Sequence, residues 1–268
     1  MYCVLIACSI LLSFMTNGVN GGAAGTEEVM DSTGDGATIA ASEEGEVPVV
    51  KSYSQHQQDA IAMQQFFPGK RDGVFVEIGA HDGRDYTNTL LLEELGWTGM
   101  LIEANPKVYE MLVVNRPNSI NVFGAAYNRD GTIDFRQLDG YTQMLSGIVE
   151  SVEPQHVQRM QEEMAVMGGS EQIVSVPCFE ITSLLERHGL VSIDYMSIDV
   201  EGAELQILGS LDFSRVSVKV LQIENNYLYK ETFDAILLPQ GYTWVGYVEL
   251  MLHWLLMSHH ERLQCLLP

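Results

Sequence analysis

The sequence has few basic residues. Lys and Arg together number 14, against 36 Asp and Glu, and the formal net charge is -22. Binding to nucleic-acid phosphates, or to an anionic membrane surface, needs clustered Lys and Arg, so the composition predicts neither partner. An acidic surface is compatible with solubility, with salt-rich surroundings and with cationic partners, and it carries no information about the fold.

Cysteine is also scarce, with four residues in a chain of 268. Cys3 and Cys8 fall in an apolar N-terminal segment, and the other two, Cys178 and Cys265, are far apart in the sequence. There is no CxxC pair and no zinc-ligand spacing, so no zinc site is predicted. Two distant cysteines are more often unpaired thiols than a disulfide, and Cys178, which ends the apolar run IVSVPC, is expected to be a small buried hydrophobe.

The first 50 residues differ in composition from the rest of the chain. Residues 1–25 hold an apolar stretch of signal-peptide length, too short to span a bilayer comfortably, although it lacks a preceding Lys or Arg. We predict a cleaved signal peptide, with an uncleaved anchor as the alternative and no stable membrane span otherwise. Residues 26–50 contain seven acids and no base, which predicts a disordered linker. The protein is expected in the secretory pathway, lumenal or secreted, or in the cytoplasm if the apolar segment is not a working signal.

Residues 51–268 show alternating strand and helix patterns, and 46% of the whole chain is hydrophobic, enough for one sizeable domain. This alternation predicts the α/β class, with a doubly wound, mostly parallel sheet and helices on both faces. Residues 139–172 interrupt this alternation of strands and helices, and we predict that they are an insertion that covers the substrate. For the tail HWLLMSHHERLQCLLP we expect a helix rather than a metal site at its histidines. Strands are predicted at VFVEIG, GMLIEAN, INVFGAAY, IVSVPC, DYMSID, VKVLQIE and YTWVGYVELML.

Carboxylates stand at the ends of four predicted strands: Glu77, Glu103, Asp199 and Glu224. The first of these strands runs into the loop Gly79–Ala80–His81–Asp82–Gly83, and Glu201 follows shortly after Asp199. In doubly wound sheets, ligands bind beyond the carboxyl ends of the strands. Four acids that meet there favour a polar, positively charged ligand. The alternative is that each acid stabilises the N-terminus of the helix that follows it.

The glycine loop restricts the kind of ligand. It is neither a GxGxxG dinucleotide fingerprint nor a Walker loop. Its acidic residues would also repel the negative charge of a phosphate. Acids beside a glycine turn suit a cation, and S-adenosylmethionine carries a sulfonium, an ammonium and a ribose diol. Glu103 has the position of a ribose-diol acceptor in Rossmann-like folds. The glycines would let the backbone approach the amino-acid end of this cofactor.

Several motifs together resemble the FkbM-type methyltransferases: FVEIGAHDG, TNTLLLEELGWTGMLIEANP, MLSGI, VPCFEITSLL, IDYMSIDVEGAELQIL and LQIENNY. The resemblance covers about residues 52–250 and implies S-adenosylmethionine-dependent enzymes with a seven-stranded class I fold, many of which O-methylate sugars or natural products. It implies cofactor binding by Glu77, Gly79, Ala80, Gly83, Glu103 and Asp199, and we add the loop residues His81 and Asp82. The general methyltransferase loop has a glycine where this chain has His81.

We therefore predict O-methyl transfer to a hydroxyl of a glycan or small metabolite, with Asp199, Glu201 and Glu224 as catalytic residues. Such a transfer requires an aligned hydroxyl and removal of its proton, without a covalent nucleophile. One alternative is a non-catalytic secretory-pathway binding or trafficking module that retains the fold. Another is metal-assisted transfer, because the same three carboxylates offer oxygen ligands suited to Mg²⁺ or Mn²⁺.

Overall fold

The computed structural model describes residues 51–226, 230–248 and 251–256. The predicted signal peptide or anchor (residues 1–25), the acidic linker (26–50), His259, His260 and Cys265 lie outside the described residues. Within the described ranges, no helix has the length and hydropathy that crossing a membrane requires.

The strands of these ranges are, in chain order, β1 (Val74–Ile78), β2 (Thr98–Glu103), β3 (Ile120–Phe123), β4 (Ala125–Tyr127), β5 (Gly131–Leu138), β6 (Gly147–Ile148), β7 (Glu171–Glu180), β8 (Ser192–Ile198), β9 (Ser217–Glu224), β10 (Tyr242–Val248) and β11 (Met251–Leu256). The α-helices are α1 (Gln58–Phe66), α2 (Leu90–Glu94), α3 (Pro106–Asn115), α4 (Pro154–Met167), α5 (Ile181–Arg187), α6 (Glu204–Ser210) and α7 (Lys230–Leu237). Short 3₁₀ helices cover Gly140–Leu145 and Leu238–Gln240.

The central sheet has seven strands in the order β10-β11-β9-β8-β1-β2-β3. Strand β11 is antiparallel to both of its neighbours, β9 and β10, and every other pair of neighbouring strands is parallel. The predicted mostly parallel sheet is thus confirmed. The single strand predicted at YTWVGYVELML is wrong, because the chain forms the hairpin β10–β11. The predicted helix is also wrong for residues 253–256, which belong to β11, since a short apolar run has the same pattern in a strand as in a helix.

Both faces of the inner strands are covered, which explains why these strands are almost continuously apolar. Val76 and Met100 face one side of the sheet and pack into a cluster with side chains of α5, α6 and α7. Phe75 and Leu101, their neighbours along the same strands, face the other side and pack with side chains of α1, α2 and α3. Alternate residues therefore serve opposite faces, as the pleat requires, and the sheet is doubly wound.

A second sheet, in the order β4-β7-β5-β6, lies outside the central sheet. The predicted strand IVSVPC belongs to β7 and pairs antiparallel with β5 and parallel with β4, so its placement in the main alternation is wrong. The sequence pattern of a strand does not show which strand it pairs with, and here β7 pairs mainly with β5. Cys178 is an unpaired, buried thiol in the core of this sheet, as predicted.

Residues 139–172 contain the first 3₁₀ helix, β6 and α4. Leu138, Leu145 and Met160 form a small buried cluster that joins these pieces to the end of β5. The polar, methionine-containing helix predicted in this segment forms as α4 and ends at Gly168, which has a φ of 74°. The segment is therefore ordered by its own small core beside the second sheet.

Candidate functional site

A cavity of about 190 Å³ opens at the carboxyl ends of the parallel strands. It lies where the loops after β1, β2, β3 and β8 and the end of β9 meet residues of the 139–172 segment. Most of the predicted site residues line it: Gly79, Ala80, His81, Glu103, Asp199, Glu201 and Glu224. The structure thus brings the β1 loop, the β2 carboxylate and the acids after β8 and β9 to one place.

The loop after β1 passes very close to the end of β8. Gly79 has a φ of 85°, and a Cβ atom at this position would lie 1.7 Å from the carbonyl oxygen of Asp199. The backbone N–H groups of Gly79 and Ala80 both donate to the Ile102 carbonyl, at 3.0 and 3.1 Å. Only glycine fits at position 79, because both the backbone conformation and the clearance exclude a side chain.

Glu77 lies beneath this loop, outside the cavity lining. Its carboxylate accepts hydrogen bonds from Thr87 Oγ1 (2.8 Å), the Asn88 backbone N–H (2.7 Å) and Thr89 Oγ1. Burial raises its pKa, and the charge of the fully buried Arg116 opposes that shift. Glu77 therefore fixes the chain that leads into α2 rather than facing the cavity.

Asp82 and Gly83 also lie outside the cavity lining. Asp82 Oδ1 accepts from the backbone N–H groups of Arg84 (2.9 Å) and Asp85 (2.8 Å), which closes a turn. Burial alone would raise the pKa of Asp82, but His81 and these N–H groups lower it to about 2. A Cβ at Gly83 would lie 2.4 Å from Leu112 Cδ1, so this glycine permits close packing against α3.

His81 lines the cavity with a positive φ of 51°, which is uncommon for residues other than Gly, although His, Asn and Asp adopt it more often than the rest. Its Nδ1 lies 3.6 Å from Asp82 Oδ1, and its backbone N–H donates to Glu103 Oε2 at 2.8 Å. Burial lowers the pKa of His81, but the carboxylates of Asp82, Glu103 and Asp85 outweigh it and raise the pKa overall. The imidazole can thus carry positive charge beside the acids of the cavity.

Glu103, the last residue of β2, is 8% exposed. Its Oε1 accepts from the Asn105 backbone N–H at 2.6 Å, and its Oε2 accepts from His81. Burial raises its pKa to about 7. The N-cap of α3 is Asn105, whose side chain accepts from the Lys107 N–H, so Glu103 does not cap this helix. Each carboxylate oxygen retains acceptor capacity for a pair of ligand hydroxyls.

Asp199, Glu201 and Glu224 form an acidic cluster in which one carboxylate oxygen of each lies within 4.8 Å of the others. Burial raises the pKa of all three, and for Glu201 and Glu224 the negative charge of Asp199 adds to the effect. Mutual repulsion and burial both disfavour three ionised groups here. The cluster therefore suits proton uptake or a bound cation.

The helix-capping alternative is wrong for Asp199 and Glu201. Helix α6 begins at Glu204 with Ala203 at its N-cap. The loop before it is held instead by Glu204 Oε1, which accepts from the N–H groups of Val200 (3.1 Å) and Gly202 (3.2 Å). Glu201 has a φ of 57° and Gly202 a φ of 125°, so the loop turns sharply between them.

Sequence reasoning missed side chains that contact Glu201. His156 Nδ1 lies 3.2 Å from Glu201 Oε2, and Asn226 Nδ2 donates to the same oxygen at 3.2 Å. Arg159 lines the cavity beside the cluster, and its charge lowers the pKa of Asp199 and Glu201 against the effect of burial. His156 and Arg159 are three residues apart on one helix and therefore lie on the same face. This spacing could have indicated from the sequence that the two side chains act at one place.

A family model described as the Methyltransferase FkbM domain matches residues 77–261, more than half of the chain. A comparison of the sequence with curated proteins gives no match. Aeropyrum pernix fibrillarin, solved with natively bound S-adenosyl-L-methionine, is similar at 12% identity over 74% of this chain and 73% of that one, with a TM-score of 0.39. Precorrin-6y C5,15-methyltransferase from Geobacter metallireducens is similar at 12% identity over 73% and 77%, with a TM-score of 0.38.

Proposed function

Because the chain belongs to the FkbM methyltransferase domain family, and thus to the S-adenosylmethionine-dependent methyltransferases, we propose that it O-methylates a hydroxyl of a glycan or small metabolite. The observation that carries this proposal is the cluster of Asp199, Glu201 and Glu224 in the same cavity as the Gly79 loop and Glu103. One cavity then contains groups for the cofactor and groups that can accept a proton.

The residues present fit S-adenosylmethionine. Gly79 lets the loop after β1 run against the end of β8 and line the cavity with its backbone, and Glu103 has acceptor capacity for the ribose diol. The acids around the loop offset the two positive charges of the cofactor, and the imidazole of His81 can meet its carboxylate. When bound, this cofactor supplies an electrophilic methyl group.

The acceptor hydroxyl must lose its proton as its oxygen gains the methyl group. A carboxylate whose pKa is raised toward neutrality is a suitable general base, because it combines basicity with the correct protonation state. Burial and the charge of Asp199 raise the pKa values of Glu201 and Glu224, and both line the same cavity as Gln143 and Ser146 of the 139–172 segment. These amide and hydroxyl groups suit a polyhydroxylated acceptor.

We propose metal assistance as a second possibility for the same site. The three carboxylates of the cluster offer hard oxygen ligands within 4.8 Å of one another, the donor type that Mg²⁺ and Mn²⁺ prefer. These residues would hold the ion, and the ion would offset their repulsion and make a nearby hydroxyl more acidic. Titration of the protein with Mn²⁺, followed by its electron paramagnetic resonance signal, would detect such a site.

The first experiment is a calorimetric titration of the purified protein with S-adenosylmethionine and S-adenosylhomocysteine. Saturable binding supports the enzyme, and absence of binding favours the non-catalytic module. Transfer of a labelled methyl group is then measured with a panel of glycosides and hydroxylated metabolites. Methylation of an amine or a carbon instead of a hydroxyl would contradict the O-methyl proposal.

With an acceptor in hand, Asp199→Asn and Glu201→Gln test the cluster. We expect turnover to fall about 10²- to 10⁴-fold, the usual contribution of a general base or a positioning acid. The melting temperature should stay the same or rise, because each change removes one buried, mutually repelling charge. Glu110→Gln, at an exposed carboxylate on α3, is the matched control. Lower melting temperatures with wild-type turnover per folded molecule would show that the acids are structural.

A further inference from the structure

We propose that His156 is a positioning residue that holds the Glu201 carboxyl within the acidic cluster. It enters the site from α4, in the 139–172 segment, and not from the strand ends and following loops that supply the three acids of the cluster. This inference rests on the proposed function, because it assigns a role to Glu201 in that reaction.

The imidazole of His156 is fully buried, and both of its nitrogens have partners. Nε2 lies 2.9 Å from the carbonyl oxygen of Leu145, and Nδ1 lies 3.2 Å from Glu201 Oε2. Because a carbonyl oxygen only accepts hydrogen bonds, Nε2 must carry a proton there. The ring is thereby locked in orientation, with Nδ1 directed at Glu201. In the neutral ring Nδ1 only accepts, so the carboxyl of Glu201 donates in this contact.

Glu201 needs such support because its backbone conformation is unfavourable for a side-chain-bearing residue. Its φ is 57°, and it is followed by Gly202 at 125°. A residue keeps this conformation only where the surrounding structure imposes it, and such residues cluster at functional sites. Asn226 holds the same carboxylate oxygen at 3.2 Å, so His156 and Asn226 together fix Oε2.

The 139–172 segment packs against this loop closely enough to act as a rigid support. A Cβ at Gly202 would lie 3.0 Å from the Ser151 carbonyl oxygen, and one at Gly147 would lie 3.3 Å from the Glu201 carbonyl oxygen. Ser151 is itself tied to Tyr127 through a 3.0 Å hydrogen bond between their hydroxyls. The chain just before α4 and the Glu201 loop therefore approach each other closely, and the side chain of His156 adds a further contact between them.

Two substitutions separate the two contacts of the ring. In His156→Asn, the side-chain amide replaces Nδ1 and can still meet Glu201, but the bond to Leu145 is lost. In His156→Gln, the amide replaces Nε2 and can still meet Leu145, but the bond to Glu201 is lost. A purely structural anchor predicts rescue by Gln, and a positioning residue predicts rescue by Asn. The same pair of changes at His188, an exposed histidine after α5, is the matched control.

Crystal structures of both variants with S-adenosylhomocysteine are the primary measurement, because they do not depend on an identified acceptor. We expect Glu201 Oε2 to keep its position in His156→Asn and to leave it in His156→Gln. With an acceptor, kcat should fall about tenfold in His156→Gln, near the upper end of what one hydrogen bond contributes. Cofactor affinity should change little, and kcat should recover in His156→Asn.

Three results would overturn the proposal: rescue by Gln instead of Asn, equal losses in both variants, or an unmoved Glu201 in His156→Gln. If neither variant folds, histidine-ring ¹⁵N spectra of wild type and Glu201→Ala decide. The His156 Nδ1 resonance should then shift more than the Nε2 resonance, and an unchanged Nδ1 would reject the contact. Failure of the wild type to bind the cofactor would reject the proposed function. The contact between His156 and Glu201 would then still be tested by the ¹⁵N spectra, which need no ligand.

Discussion

Backbone strain at single residues is concentrated around the cavity. Among the described residues, the non-glycine positions with positive φ are Gln57, His81, Tyr86 and Glu201. Three of these, His81, Tyr86 and Glu201, line the cavity, and Gln57 lies between two lining residues. Each such conformation costs about 1–3 kcal/mol and persists only where surrounding contacts impose it. This distribution supports a functional role for the cavity independently of its charges.

Glu103 should make cofactor affinity depend on pH. Its pKa in the folded protein is raised from 4.5 to about 7, so the carboxyl is protonated below that pH and ionised above it. Since the ionised form accepts from both ribose hydroxyls, S-adenosylhomocysteine affinity should rise about tenfold between about pH 6 and pH 8. The ligand-free protein should lose stability between about pH 4.5 and pH 7, where the folded state keeps a proton that the unfolded state has released, and this loss should level off above about pH 7.

Calorimetric titrations of wild type and Glu103→Gln across this pH range provide the measurement and its control. The variant should bind about tenfold to a hundredfold more weakly at high pH, the loss of a charge-assisted hydrogen bond. The variant should also lack the rise in affinity that Glu103 causes. Any pH dependence of binding that remains then comes from other groups of the cavity, such as His81. Equal pH profiles in the two proteins would remove Glu103 from the cofactor site.

Glu77 should matter for stability and not for the ligand. Glu77→Gln replaces one acceptor oxygen by an NH₂ group that cannot accept from Thr87, Asn88 or Thr89. A buried donor left unsatisfied costs about 1–3 kcal/mol, so thermal denaturation should show a melting temperature lower by several degrees. Binding of S-adenosylhomocysteine per folded molecule should stay near the wild-type value. A normal melting temperature with lost binding would instead return Glu77 to the site.

The sequence predicted part of the site because strand ends are visible as a pattern. Glu103, Asp199 and Glu224 stand at or just after strand ends, and the parallel sheet brings such positions together. Glu77 is the penultimate residue of β1, and the pleat of the strand directs its side chain under the loop instead of into the cavity. The apolar run alone did not show where the strand ends. His156 could not be predicted as a partner of Glu201, because their contact depends on how the 139–172 segment packs.

At the scale of elements, the loop after β1 packs directly against the end of β8. Gly79→Ala would need a positive φ and would also place a Cβ 1.7 Å from a backbone oxygen. Gly69 has a similar φ of 75° with nothing within 4 Å, so Gly69→Ala carries the conformational cost alone, about 1–2 kcal/mol. We expect Gly79→Ala to melt much lower than Gly69→Ala and to lose S-adenosylhomocysteine binding. Equal melting temperatures would show that the loop moves aside.

The elements themselves were predicted unevenly. The central sheet follows from the alternation of buried strands and helices, which leaves few topologies open. The second sheet does not, because β5 and β7 pair antiparallel over eight residues across an intervening helix. Periodicity identifies a strand but not its neighbour, and the hairpin β10–β11 was missed for the same reason.

At the scale of the whole molecule, the first 50 residues should be dispensable for folding. Residues 26–50 carry seven acids without a base, a composition that cannot bury enough apolar surface to offset its ordering entropy. A protein of residues 51–268 should therefore match the full-length chain in melting temperature and in S-adenosylhomocysteine affinity. Calorimetry on both proteins at one ionic strength checks this. A drop of several degrees would show that the acidic segment stabilises the domain.

The loop that carries Asp199 and Glu201 touches two other parts of the chain, the Gly79 loop on one side and Ser151 on the other. It thus lies between the groups proposed to bind the cofactor and the groups proposed to bind the acceptor. Any shift of this loop caused by one ligand changes the free energy of binding the other, and linkage makes the effect reciprocal. Cofactor and acceptor should therefore bind cooperatively, each altering the dissociation constant of the other by the same factor.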